Sequence, residues 1–101
     1  MKRILFTIAA LTAFAAPAMA DEALAKAKNC MACHATDKKL VGPSYKDVAA
    51  KYGKEAGAAG KLASKIQKGG SGVWGAVPMP PNANVNADEA QKLAAWILTL
   101  K

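Results

Sequence analysis

One run of residues, Cys30-Met31-Ala32-Cys33-His34, constrains this chain more than any other. Two thiols with two residues between them project from one tight turn, and a histidine follows directly. That is the spacing of covalent haem attachment. Each thiol can add across one vinyl group of the ring, and the next imidazole then lies under the ring plane, where it can bind iron. Other readings of the pair fit less well. A structural zinc site needs about four Cys or His ligands, and this chain has two Cys and one His, all in this stretch. A thioredoxin-like redox pair wants a βαβ context, and no strand pattern surrounds it. A plain disulfide leaves the adjacent histidine as coincidence. The residues therefore point to one covalent haem c, carried on Cys30 and Cys33, with His34 as an axial iron ligand.

The start of the chain reads as a cleaved leader. Lys2 and Arg3 are followed by an apolar run from Ile4 to Ala16 and by Ala18-Met19-Ala20. That is the order of a secretory signal peptide, with a cut expected between Ala20 and Asp21. The apolar run is shorter than the roughly 20 residues of a membrane helix. Residues 1–20 are thus expected to be signal peptide and 21–101 a single exported, periplasmic domain. A domain this short rarely builds a large core unaided, and a bound haem would supply the missing apolar centre. Past residue 20 the chain carries twelve lysines, no arginine and seven carboxylates, a balance of +5. The lack of arginine disfavours a reader of nucleic-acid bases. Dispersed lysines suit transient docking on acidic protein partners, or serve only as a solvated surface.

Periodicity indicates helices throughout. The first is expected from Glu22 to Asn29, with Leu24 and Ala27 facing inward. Gly42-Pro43 sets a turn. A second helix follows Ser44, whose spacing to Asp47 resembles a cap. Tyr45, Val48, Ala49 and Tyr52 give its buried stripe, and Gly53 its end. A third covers roughly 57–68, with Ala59, Leu62, Ala63 and Ile66 inward. A fourth starts at Asn86, paired with Glu89 as a capping box. It buries Ala90, Leu93, Ala94, Ile97 and Leu100, with Trp96 on its flank. Between the third and fourth helices, three prolines around Met79 forbid a helix and impose a stiff, extended segment.

A haem iron takes a sixth ligand or stays open. Met1 and Met19 fall in the leader, and Met31 lies inside the attachment turn, which leaves Met79. A lone methionine is usually core filler. The flanking prolines argue instead for a positioned thioether, giving the His/Met pair of an electron-carrying iron. Three other residues have two readings each. Pro43 could offer its carbonyl to the His34 ring or be a turn proline. The Trp74 indole N–H could meet a haem propionate or pack in the core. Asn82 could donate to the Met79 sulfur or simply shape a turn.

With the attachment motif, Val41-Gly42-Pro43, Gly72-Val73-Trp74-Gly75, Pro78-Met79-Pro80-Pro81-Asn82 and the closing helix in order, the chain resembles the short bacterial class I cytochromes c across nearly all of 21–101. The resemblance implies an all-α fold of about four helices round one haem. It implies thioethers at Cys30 and Cys33, axial ligands at His34 and Met79, and supporting contacts from Pro43, Trp74 and Asn82. Lys65 stands where some relatives carry an arginine near a propionate. The implied activity is that of a monomeric one-electron carrier between a donor complex and a terminal reductase or oxidase, and not an enzyme. The alternative is an open-haem peroxidase or gas sensor, which requires that Met79 is not a ligand.

Overall fold

The computed structural model describes residues 17–100. The body of the expected leader, 1–16, lies outside them. Helix α1 spans Pro17–Ala27, α2 Tyr45–Tyr52, α3 Ala58–Lys68 and α4 Ala87–Leu98, in an all-α arrangement. Among the described residues the nearest thing to a strand is an isolated antiparallel bridge, Gly70 to Met79.

Helix α1 starts earlier than its periodicity indicates and ends earlier. It stops at Ala27 because Asn29 takes the left-handed conformation, φ 64°, a region that asparagine tolerates better than most residues. The inward residue is Ala25, fully buried, and not Ala27, which is exposed. After Asn29 the chain winds into a single 3₁₀ turn, Cys30–Ala32. The backbone N–H groups of Cys33 and His34 both donate to the Cys30 carbonyl, at 3.2 and 3.0 Å.

Helix α2 is capped by Ser44, whose hydroxyl accepts from the Asp47 N–H at 3.1 Å. It buries the expected Tyr45, Val48, Ala49 and Tyr52. In α3 the stripe is Ala58, Leu62, Ala63 and Ile66, so Ala58 replaces the expected Ala59, which faces outward. The helix enters through Gly57 at φ 74°, which turns the first alanine, not the second, onto the core. Helix α4 packs against α3, α2 and α1 and is the centre of the domain. Its Leu93 is 1% exposed. Trp96, expected at the flank, is buried and stands edge-on to Tyr45, with ring centroids 5.3 Å apart. Leu100 lies beyond the last helical turn but still packs on the core, half-buried.

The start of α4 is tied down from two directions. Asn86 accepts from the Glu89 N–H at 2.8 Å, and Glu89 accepts from the Asn86 N–H at 3.0 Å, completing the capping box. Lys28, just past α1, reaches Glu89 at 3.3 Å and the Asn84 carbonyl at 2.7 Å. The Asn86 N–H first, and then Lys28, hold the Glu89 carboxyl below its ordinary value of 4.5. A depressed carboxyl stabilises the fold at pH above its unfolded value and loses that contribution as pH falls through its folded value. The melting-temperature gap between wild type and Glu89→Gln should therefore be present at neutral pH and close in acid. Asn86→Ala should cost about 1 kcal/mol, read as a lower melting temperature.

Candidate haem site

The loops and helix faces enclose a cavity of about 590 Å³, within the size range of cofactor pockets. Cys30, Cys33 and His34 line it from the attachment turn. Pro78, Met79 and Pro80 line it from the proline loop. Val48, Tyr52, Leu62, Ile66, Leu93 and Ile97 line it from the helices. The fold thus brings together two segments that lie far apart in sequence.

His34 is held on several sides. Its Nδ1 lies 2.8 Å from the Pro43 carbonyl oxygen, so the tautomer that donates from Nδ1 leaves Nε2 as a metal-binding nitrogen. The Tyr45 ring stacks on the imidazole, with centroids 5.1 Å apart and planes 18° from parallel. Gly42 closes the remaining side. A Cβ there would stand 2.6 Å from His34 Cε1, so only glycine lets the backbone lie against the ring. The Gly42 N–H also donates to the Cys33 carbonyl at 2.7 Å, folding the Gly-Pro turn back onto the attachment motif.

Both cysteines are half-buried and lie outside any disulfide. Burial pushes the Cys30 thiol above its ordinary value, with a smaller opposing effect from a hydrogen bond to Tyr45. Burial and the nearby Cys30 likewise push the Tyr45 hydroxyl up. Both groups are therefore neutral near pH 7. Among the described residues no cluster of three or more His, Cys, Asp or Glu could hold a bare metal ion, so the thiols lack the companions of a zinc site.

Met79 is held mainly through its backbone. Its N–H donates to the Gly70 carbonyl at 2.7 Å, and its carbonyl accepts from the Gly70 N–H at 3.0 Å. Asn82 donates from Nδ2 to the Ile66 carbonyl at 2.7 Å, bracing the loop against the end of α3. One of its two amide hydrogens is thereby committed to the helix and not to the Met79 sulfur. Trp74 is 41% exposed at the mouth of the cavity, with the Lys51 ammonium 5.8 Å from its ring centroid. It is not core packing. Lys65 also lines the cavity, beside Gly70.

Sequence reasoning missed Tyr45, Gly42 and Lys28 as parts of the site. Tyr45 belongs to an ordinary helical stripe, and nothing in that periodicity separates a ring stacked on His34 from core packing. A glycine directly before Pro43 was a usable signal for close backbone approach.

The cavity suits a large apolar group. Its depth is aliphatic, and Val41, Val73, Trp74 and Val77 are exposed around its mouth as if something apolar should cover them. Two cysteine thiols and an oriented imidazole lie in its wall. The family model for cytochrome c matches residues 20–101.

The chain belongs to the cytochrome c family.

It is 58% identical over 84 residues to cytochrome c-552 of Nitrosomonas europaea, covering 83% of this chain and 82% of that one. It is 60% identical over 80 residues to cytochrome c-551 of Pseudomonas aeruginosa, covering 79% and 76%. The crystal structure of the Nitrosomonas europaea cytochrome c552 superposes with a TM-score of 0.78 at 57% identity, covering 79% of this chain and 99% of that one. As a cytochrome c, the chain carries covalent haem c, which the Cys-x-x-Cys-His spacing of Cys30 and Cys33 fits. Its function is electron transfer, and nothing found favours the peroxidase reading.

Gly42→Ala tests how tightly the imidazole is packed. Overpacking of this kind costs about 1–3 kcal/mol. The variant holoprotein should melt at a lower temperature, and its ferric spectrum should report a displaced His34 ring.

Proposed function

We propose that the protein is an exported, periplasmic one-electron carrier whose iron is held between His34 and Met79. The observation that carries this reading is the single cavity lined by Cys30, Cys33, His34 and Met79. Haem c supplies an iron that gains or loses one electron between its ferric and ferrous states. The chain's residues do the rest. Cys30 and Cys33 fix the group covalently. The Pro43 carbonyl, Tyr45 and Gly42 hold the His34 ring so that Nε2 faces the cavity. Met79 offers a thioether from a loop braced on α3, which favours the ferrous state and raises the potential. With His34 and Met79 both holding the iron, peroxide, dioxygen and carbon monoxide would find no open site, and the sequence has no second histidine to act as an acid–base group. That makes the chain a carrier and not a catalyst. Trp74 at the rim is the group best placed to meet a propionate, with Lys65 nearby.

Export rests on the leader pattern in 1–20. Among the described residues no helix is long and apolar enough to cross a membrane. The partners are redox proteins with acidic docking faces. The recognising surface is the cavity mouth, where Val41, Val73, Trp74 and Val77 are exposed and Lys39 and Lys65 lie close by. Apolar contact there would exclude water at the haem edge, and the lysines would steer the encounter.

Met79→Ala tests the axial pair. The wild-type ferric protein should be low-spin, and its ferrous form should not bind carbon monoxide readily at neutral pH. The variant should be high-spin, or take up external ligands, and show a lower potential. A variant spectrum identical to wild type would sink the assignment. Electron-transfer rates with an acidic partner should fall as salt rises from about 10 to 150 mM, as the Debye length shortens from about 30 to 8 Å. Salt-independent rates would argue against lysine steering.

A further inference from the structure

The segment that holds Met79 is not the proline loop alone. The chain leaving α3 lies against that loop backbone to backbone, and one residue makes this possible. Gly69 ends α3 with φ 74° and ψ −172°, a region that essentially only glycine occupies. A Cβ at position 69 would overlap the Met79 carbonyl oxygen. It would also stand 2.9 Å from both the Pro80 carbonyl carbon and the Pro81 nitrogen. All three atoms are backbone, fixed in a proline-stiffened segment, so none can swing aside as the end of a flexible side chain can. The next residue, Gly70, forms the two-way bridge with Met79.

We propose that Gly69 is a positioning residue for the Met79 sulfur, acting through the backbone of the ligand loop. The inference rests on the reading of Met79 as the sixth ligand and deepens it. Lacking a side chain, residue 69 lets the end of α3 come close enough for Gly70 to bond Met79 on both its N–H and its carbonyl. Those two bonds set the height of the residue that carries the thioether. The Asn82 amide on the Ile66 carbonyl fixes the same loop three residues further on. Helix α3 therefore acts as the template for the ligand loop. Any side chain at 69 would push the Met79 carbonyl away and weaken the hold of the sulfur.

The protein contains its own control. Gly57 shares the φ of 74°, but its ψ of 17° places it in the milder left-handed region, and a Cβ there meets nothing within 4 Å. Gly57→Ala thus imposes left-handed strain without a collision, far from the ligand loop. Gly69→Ala imposes strain and collision together.

The experiment compares wild type, Gly69→Ala, Gly57→Ala and Met79→Ala as ferric holoproteins. Far-ultraviolet circular dichroism verifies the fold. Two readouts report the sulfur: the near-infrared sulfur-to-iron charge-transfer absorption, and the dissociation constant of imidazole, which competes for the same position. In Gly69→Ala the absorption should weaken and imidazole should bind at least about tenfold tighter, a change of roughly 1.4 kcal/mol. In Gly57→Ala both readouts should match wild type even if the melting temperature falls. Wild-type readouts in Gly69→Ala, or equal changes in the two glycine variants, would overturn the proposal. Should wild type itself lack the absorption and bind imidazole as Met79→Ala does, the ligand assignment fails and takes this inference with it. If Gly69→Ala yields no holoprotein, amide exchange in wild type carries the test. The Met79 N–H, bonded to Gly70, should exchange at least about tenfold more slowly than the N–H of exposed Val77. Equal rates would show that no clamp exists for Gly69 to permit.

Discussion

The fold depends on a core that the chain does not close by itself. Leu93 is the one large side chain with essentially no exposure among the described residues. Around it the helices enclose a cavity where the rest of a core would be. The Val41, Val73, Trp74 and Val77 side chains at its mouth are 41–65% exposed. Covering an apolar side chain of this size is worth about 1.5–3 kcal/mol when complete. The group that does the chemistry is thus also the group that finishes the interior. A thioether-linked cofactor cannot dissociate, so this contribution does not depend on ligand concentration as reversible binding does.

Two kinds of attachment meet in that cavity. The turn from Cys30 to His34 is local: one tight winding of backbone sets all three side chains, and the Gly42-Pro43 turn returns to orient the imidazole. The Met79 side is built over distance. It needs the end of α3, the bridge at Gly70 and the Asn82 amide to set the loop that carries Met79. Local geometry of the first kind survives small displacements of the helices. Geometry of the second kind responds to them, so the loop is where sequence changes tune the site without abolishing it.

Much of this was legible in the sequence because the signals were chemical. A Cys-x-x-Cys-His run has few structural meanings, and the capping residues Ser44 and Asn86 sit where their side-chain oxygens are needed. The helical stripe of α2 followed from spacing alone, and that of α4 did except at Trp96 and Leu100. The errors came where tertiary contacts choose between neighbours of equal propensity. Ala58 and Ala59 are the same residue type, and only the entry angle set by Gly57 decides which is buried. Ala25 replaced Ala27 because Asn29 ends α1 early. The stacking of Tyr45 on His34, the hold of Lys28 on Asn84 and the fit of Gly69 against the Met79 loop join residues distant in sequence. No periodicity records such contacts.

Lys28 has a consequence for the way the molecule responds to ions. Its ammonium links the end of α1, the Asn84 carbonyl behind the Met79 loop and Glu89 at the head of α4. Lys28 and Glu89 expose only 23% and 25% of their side chains, and partly buried pairs are screened much less than exposed ones. Lys39 at the cavity mouth is exposed and feels added electrolyte at once. Added salt therefore acts unevenly on this protein: charges in open solvent are screened first, while the partly buried Lys28–Glu89 brace behind the Met79 loop persists to higher concentrations. The same charged residue type sits in solvent on one face and holds the fold together on another, and the two uses separate along a single concentration axis.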